Sequence, residues 1–295
     1  MRIMGGKIGG RKGPDGPRRR PGHDGTGRQG QFASLQRGWC GGPPVAQNSP
    51  MDQARLRITV RCFAAVREAL GTDRLELDLA AGTTLATLRR ELAQGTPALL
   101  RLPLAFAVNR TYAREDTVLR DGDEVAFIPP ISGGSGAGEG TGDEDAAGAQ
   151  ALYRFDLTDA PIDPRRFERE CRTDRDGALV TFAGVTRDHN DGRAVKLLRY
   201  EAYPEMAQKV MCELFEEAIK RFPITRARVV HRLGEVPIGE ASVVVVVASP
   251  HRGPAFEACR FLMDRLKNEV PIWKQELLAD DGGERWVGEL PRQGG

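Results

Sequence analysis

Residues 135–150, SGAGEGTGDEDAAGAQ, contain no aromatic residue and no Val, Ile or Leu. A stretch of that composition has no apolar surface to set against the entropy of ordering it, so no core can run through it. It therefore acts as a flexible linker and divides the 295-residue chain into folded units over 51–134 and 151–295. A second break lies at the start, where residues 1–50 carry nine Lys/Arg against two Asp while the remainder is net acidic by five. This Gly-, Pro- and Arg-rich arm is expected to be disordered, and it lacks the apolar core of a secretory leader. A basic arm could touch nucleic acid or an anionic surface. The preferred reading is a dispensable extension with Met51 as the natural start, so nucleic acid is not the expected partner.

With 40% hydrophobic and 28% charged residues the balance is that of a globular protein, and the longest apolar runs, such as 243–248, are strand-sized. A membrane-spanning helix, which needs roughly 20 apolar residues, is not expected. Cys40, Cys62, Cys171, Cys212 and Cys259 form no C-x-x-C pair, and four histidines provide no metal-ligand spacing. The cysteines read as free thiols in a reducing cytoplasm, and no metal site is expected.

In the first unit RLRITVR (55–61) and RLELDL (74–79) alternate polar and apolar residues, the period of a strand with one buried face. FAAVREAL between them reads as a short helix ended by Gly71. Gly82-Thr83-Thr84 supplies an N-cap for TLATLRRELA, whose Leu85, Leu88 and Leu92 recur at helical spacing. LAFAVNR and DEVAFIPP supply two more strands, and Pro129-Pro130 stops the second. A small sheet around one main helix, with an extended Gly-Gly tail, is the β-grasp arrangement of ubiquitin-like proteins.

In the second unit YRFDLTDAPID opens with a strand, and Asp163 and Pro164 start a helix over DPRRFERECR. GALVTFAGVTRDHNDGRAVKLLRYEAY reads as two strands joined by a polar loop. PEMAQKVMCELFEEAIKRF is a helix, ARVVHRLG a strand, and ASVVVVVAS a strand apolar on both faces and therefore central. A further helix over GPAFEACRFLMDRLKNEV ends at Pro271.

FAAVRE, AVNR and LRDGDEVAFIPPISGG together resemble the small, sulfur-carrier subunit of molybdopterin synthase across 51–134. GALVTFAGVTRDHN, HRLGEVPIGE, SPHRGPAFEACRFLMDRLK and PIWKQE, in that order, resemble the large, catalytic subunit across 152–286. Two matches to two subunits of one enzyme, on either side of a linker, imply a natural fusion of both. The implied fold class is α+β, an N-terminal β-grasp domain followed by an α/β hammerhead-type catalytic domain.

The resemblance also implies the chemistry. The carboxylate of Gly134, freed by cleavage before Ser135, would be adenylated by an E1-like enzyme and converted by a sulfur donor to a thiocarboxylate. Gly133 and Gly134 leave the tail without β-carbons, which suits a narrow channel. No tightly bound cofactor is implied. The substrate would be cyclic pyranopterin monophosphate, an anion, and the catalytic domain would dimerise. His251 and Arg252, at the junction of a strand with a helix N-terminus, suit an anion, with Arg187 arriving from the neighbouring strand end. Lys267 and Lys274 match the family's pair of catalytic lysines. Pro271 lies between them, so they meet only if the chain folds back. A desolvated lysine beside other cations would have a lowered pKa and could serve as acid, base or nucleophile. Met263, Trp273, Glu276 and Phe182 are further candidates for pocket lining, with core packing an equally good reading for Met263, Phe182 and Trp273. The rival reading is a general sulfur carrier or protein tag with a docking domain.

Overall fold

Which faces of each strand are apolar decides how this chain is layered. The structure, a computed structural model, describes residues 55–131, 152–279 and 282–288. The basic arm, Gly133, Gly134 and segment 135–150 lie outside the described residues.

The carrier part runs β1 (Arg55–Cys62), α1 (Ala64–Leu70), β2 (Arg74–Ala80), α2 (Leu85–Gly95), α3 (Ala98–Arg101), β3 (Ala105–Val108), β4 (Thr111–Ala113) and β5 (Glu124–Ile128). Its sheet has the order β2-β1-β5-β3-β4, with β1 and β5 parallel and the other pairs antiparallel. β1 buries Leu56, Ile58, Val60 and Cys62 on one face, and these pack with Leu85, Leu88 and Leu92 of α2. Thr84 caps α2 by accepting from the Thr87 amide at 3.3 Å. Gly71 closes α1 in the left-handed region, φ 70°, where a β-carbon is disfavoured. The order matches the sequence expectation except for α3 and β4, which are too short to leave a periodic signal.

The catalytic part runs β6 (Tyr153–Thr158), α4 (Pro164–Cys171), β7 (Ala178–Val185), β8 (His189–Asn190), β9 (Arg193–Ala202), α5 (Pro204–Arg221), β10 (Arg226–Arg232), β11 (Gly234–Pro237), β12 (Ala241–Ser249), α6 (Arg252–Glu269), β13 (Ile272–Leu278) and β14 (Glu284–Val287). One sheet has the order β6-β10-β12-β7, which places the all-apolar β12 inside. Val243, Val245 and Val247 of β12 face α5 and α6, while Val244, Val246 and Ala248 face Phe167 and Cys171 of α4. A second sheet has the order β11-β9-β13-β14, with β8 paired to β9. Among the described residues no helix is long and apolar enough to cross a membrane.

β3 and β5 are apolar on both faces and need cover on both. Phe106, Val125 and Phe127 turn towards α2, whereas Ala105, Ala107, Ala126 and Ile128 belong to one buried cluster with Tyr203, Met206, Ile272 and Trp273 of the catalytic part. The carrier is thus docked on the catalytic part through a shared core. Phe63 stacks on Tyr203 and on Trp273, each at a centroid distance of 4.9 Å. Polar contacts ring this core: Arg67 pairs with Glu201 at 2.8 Å, the Tyr112 hydroxyl donates to the Glu269 carbonyl at 3.0 Å, and Trp286 Nε1 donates to Glu68 at 2.8 Å.

Candidate active site

The two lysines are brought together by the end of α6. The helix stops at Val270, whose amide reaches the Leu266 carbonyl, and Pro271 cannot continue it. The chain then reverses into β13, which pairs antiparallel with β9 and places Lys274 opposite Tyr200. Lys267, in the last turn of α6, and Lys274 consequently line one cavity of about 700 Å³.

Arg187 enters the same cavity from the β7–β8 loop. Its Nη2 donates to Asn190 Oδ1 at 2.5 Å, and Asn190 Nδ2 donates to Glu276 Oε1 at 2.8 Å. Glu276, 1% exposed, also takes Lys274 Nζ at 3.4 Å and Arg285 Nη2 at 3.0 Å. A carboxylate this deep is tolerated because two cations and an amide surround it. Asn190 and Arg285 were not among the expected site residues. Asn190 is tied to Glu276 from 86 residues away, and Arg285 faces Glu276 across the β13–β14 pair. Arg187, Lys267 and Lys274 on the lining outnumber Glu276, so the cavity favours an anion.

His251 and Arg252 do not line this cavity. Arg252 opens α6 and Lys267 lies fifteen residues further along it, which at 1.5 Å per residue separates them by about 22 Å. Nor does Arg187 arrive beside them. β7 and β12 are antiparallel, with Val185 opposite Ala241 and Ala178 opposite Ser249. Arg187 therefore follows the end of β7 that lies beside the start of β12, whereas His251 follows the end of β12. The expected cluster of three is split between opposite ends of the sheet. His251 and Arg252 are exposed at the N-terminus of α6, where the His251 amide donates to Ser249 Oγ at 3.3 Å.

Met263, Glu276 and Phe182 line the cavity, but Trp273 does not. Its ring is buried under Phe63, and its Nε1 donates to the Pro129 carbonyl at 2.9 Å. That bond grips the carrier where its tail leaves the sheet. Ile131, the last described residue of the carrier, is also buried. A β-carbon on Gly288 would stand 2.2 Å from the Ile131 carbonyl oxygen, so only glycine admits the tail there. Gly288 itself lines the cavity, and the described end of the tail therefore abuts its rim. Among the described residues no group of three or more His, Cys, Asp or Glu side chains could hold a metal ion.

Residues 157–269 match the MoaE protein family, and residues 60–134 match the ThiS family. The molybdopterin synthase catalytic subunit of Thermoplasma volcanium is 44% identical over 128 residues, covering 43% of this chain and 93% of the relative. That of Bacillus subtilis is 38% identical over 138 residues, covering 47% of this chain and 87% of the relative. The crystal structure of molybdopterin synthase from Staphylococcus aureus aligns at 34% identity with a TM-score of 0.43, over 45% of this chain and 96% of that one. The chain belongs to the molybdopterin synthase catalytic subunit family, carries a ThiS-family sulfur-carrier domain ahead of its catalytic domain, and has its role in molybdopterin biosynthesis.

Proposed function

We propose that this chain is a complete sulfurtransferase, passing sulfur from a thiocarboxylate on Gly134 to cyclic pyranopterin monophosphate to build the dithiolene of molybdopterin. The observation that carries the reading is the convergence of the carrier's tail, gripped at Pro129 and packed on Gly288, with the cavity that holds Lys267, Lys274 and Arg187. In each transfer the thiocarboxylate sulfur bonds to a substrate carbon in place of oxygen and the tail is left as a carboxylate. The tail must then withdraw and be recharged by an E1-like adenylating enzyme and a sulfur donor.

The cationic lining suits the anionic substrate and the negative charge of the thiocarboxylate. Arg187, held by Asn190, offers a planar donor fork for the phosphate. Lys267 and Lys274 stand where protons must be moved as the carbon–oxygen bond is exchanged for carbon–sulfur. Glu276 fixes the Lys274 ammonium from behind.

His251 and Arg252 fit this scheme as contributions from a second copy. β7 is an outer strand of its sheet; Phe182 and Val185 on it are exposed, as is Phe256 near the start of α6, the helix that Arg252 opens. Such an apolar edge supports pairing of catalytic parts. Cys62, Cys171, Cys212 and Cys259 are free thiols, in keeping with a reducing cytoplasm.

The test supplies the chain, cut after Gly134 and charged as the thiocarboxylate, with cyclic pyranopterin monophosphate. Molybdopterin is expected to form. Lys267→Ala and Lys274→Ala should each lower kcat by about 100-fold or more with the fold intact, the scale of losing a positioned acid or base. A charged wild-type chain that transfers no sulfur is a carrier with a dock, and near-normal turnover in both variants would remove the lysines from the chemistry.

A further inference from the structure

The cavity has a neutral, buried side as well as a cationic one. His231 on β10 and Ser242 on β12 are part of its lining, yet they are only 4% and 5% exposed. Tyr200 stands edge-on to His231, with ring centroids 4.8 Å apart and planes at 70°. The Ser242 hydroxyl lies 3.2 Å from the Gly184 carbonyl, to which it donates.

His231 is held in one tautomer. Its Nδ1 lies 2.9 Å from the Arg232 carbonyl oxygen, which can only accept, so Nδ1 carries the proton. Burial drives the imidazole pKa down to about 4, and the ring is neutral at physiological pH. A neutral imidazole protonated at Nδ1 presents a bare lone pair at Nε2. Among the described residues no hydrogen bond satisfies that atom, and it is not one of the sealed polar atoms left without a partner. It therefore opens onto the cavity, where an acceptor facing a bound molecule selects an N–H or O–H donor.

We propose that this side of the cavity is a recognition subsite for the N–H edge of a neutral heterocycle, with His231 Nε2 accepting from a ring or exocyclic N–H while Arg187, Lys267 and Lys274 hold the anionic end. The assignment rests on the pterin reading above, since a reduced pterin carries an amino group and ring N–H groups on the ring system and its negative charge on the cyclic phosphate. A ligand offering a carbonyl or carboxylate here would set lone pair against lone pair and be rejected. Ser242 and Tyr200 flank the acceptor and add no charge at neutral pH.

Binding to the full chain separates this role from a structural one. Two probes are used, cyclic pyranopterin monophosphate and glycerol phosphate, which keeps the anion without the ring. In His231→Phe, affinity for the pterin should fall about tenfold or more, the effect of one lost hydrogen bond to a buried partner, and affinity for glycerol phosphate should stay unchanged. His231→Gln, whose Oε1 can stand in for Nε2, should bind the pterin within about threefold of wild type. A folded His231→Phe that binds the pterin normally overturns the proposal, as does an equal loss for both probes, which marks a residue that only holds the cavity walls. Should His231→Phe fail to fold, the ¹⁵N resonance of His231 Nε2 in the wild-type chain decides: pterin binding must shift it, glycerol phosphate must not, and an unmoved signal overturns the proposal. A wild-type chain that binds glycerol phosphate but not the pterin refutes the pterin reading itself, whatever the variants do.

Discussion

Replacing Phe63 with alanine should uncouple the carrier from the catalytic part without unfolding either. Phe63 is 5% exposed, and its buried neighbours are Tyr203 and Trp273 rather than the carrier's own core around Leu85, Leu88 and Leu92. In a free carrier the ring would face water, so the loss falls on docking. Burying a phenylalanine side chain is worth about 1.5–3 kcal/mol, and each of two stacked contacts adds about 0.5–1.5 kcal/mol. A loss of about 3 kcal/mol corresponds to about 150-fold in affinity. The assay uses cut protein and varies the concentration of thiocarboxylated carrier. KM for the carrier should rise about 100-fold with kcat little changed, and the melting temperature of the free carrier should move by no more than about 2 °C. A rise in KM below about fivefold, or a fall in kcat at constant KM, would show that Phe63 does not anchor the docked state.

Two more outcomes follow from the same interface and its tail. Burial beneath the carrier raises the Glu201 carboxyl above its ordinary value of 4.5, and the Arg67 guanidinium only partly opposes this. A raised pKa in the docked state means that docking favours the protonated acid. Affinity should therefore weaken as pH climbs from about 4.5 through the raised value, and Glu201→Gln should abolish that slope; affinity that strengthens with pH across this window would reverse the assignment. For the tail, Gly134→Pro or any change that leaves the 134–135 bond demonstrably uncut should abolish thiocarboxylate formation, read by intact mass. An amide carbonyl has no ionisable oxygen to adenylate, so an uncut chain that makes molybdopterin at the normal rate would mean the sulfur travels by another route.

Long periodic elements were legible before the fold was known. ASVVVVVAS declared itself a central strand, and the leucines of α2 declared the helix that the first sheet grasps. AFAV and VAFI carried a further message, because apolar residues on both faces of β3 and β5 require a second cover. That cover is the catalytic part. Lys267 and Lys274 were recognisable as a motif, yet only the reversal after Val270 brings them to one cavity. Arg187, from another part of the chain, was expected to reach His251 and Arg252 from a neighbouring strand end. Antiparallel pairing of β7 with β12 sends them to opposite ends instead. His231 and Asn190 lie within the motifs HRLGEVPIGE and GALVTFAGVTRDHN, but nothing in those strings says that their side chains meet Tyr200 and Glu276; Arg285 lies outside every motif.

The composition of the docking face is compatible with the proposed cycle, in which a carrier buried at an interface would leave to be recharged. On the carrier side the shared core is built from Ala64, Ala105, Ala107 and Ala126, with Phe63, Ile128 and Ile131 as the larger side chains. Alanines let the two parts approach closely but bury little apolar area apiece, and at about 25 cal/mol per Å² they contribute little attraction. Affinity is thereby concentrated in Phe63 and in the strand end and tail, where Ile128 and Ile131 pack and Trp273 holds the Pro129 carbonyl. Two of those contacts are made by the tail itself. Withdrawal of residues 129–131 from the catalytic part would break the Pro129 bond and expose Ile131 together, leaving Phe63, Ile128 and a ring of polar contacts to hold the domain. Under the proposed function, tail entry and domain docking would be one coupled equilibrium, and the step that brings a charged tail to the cavity would also tighten the complex.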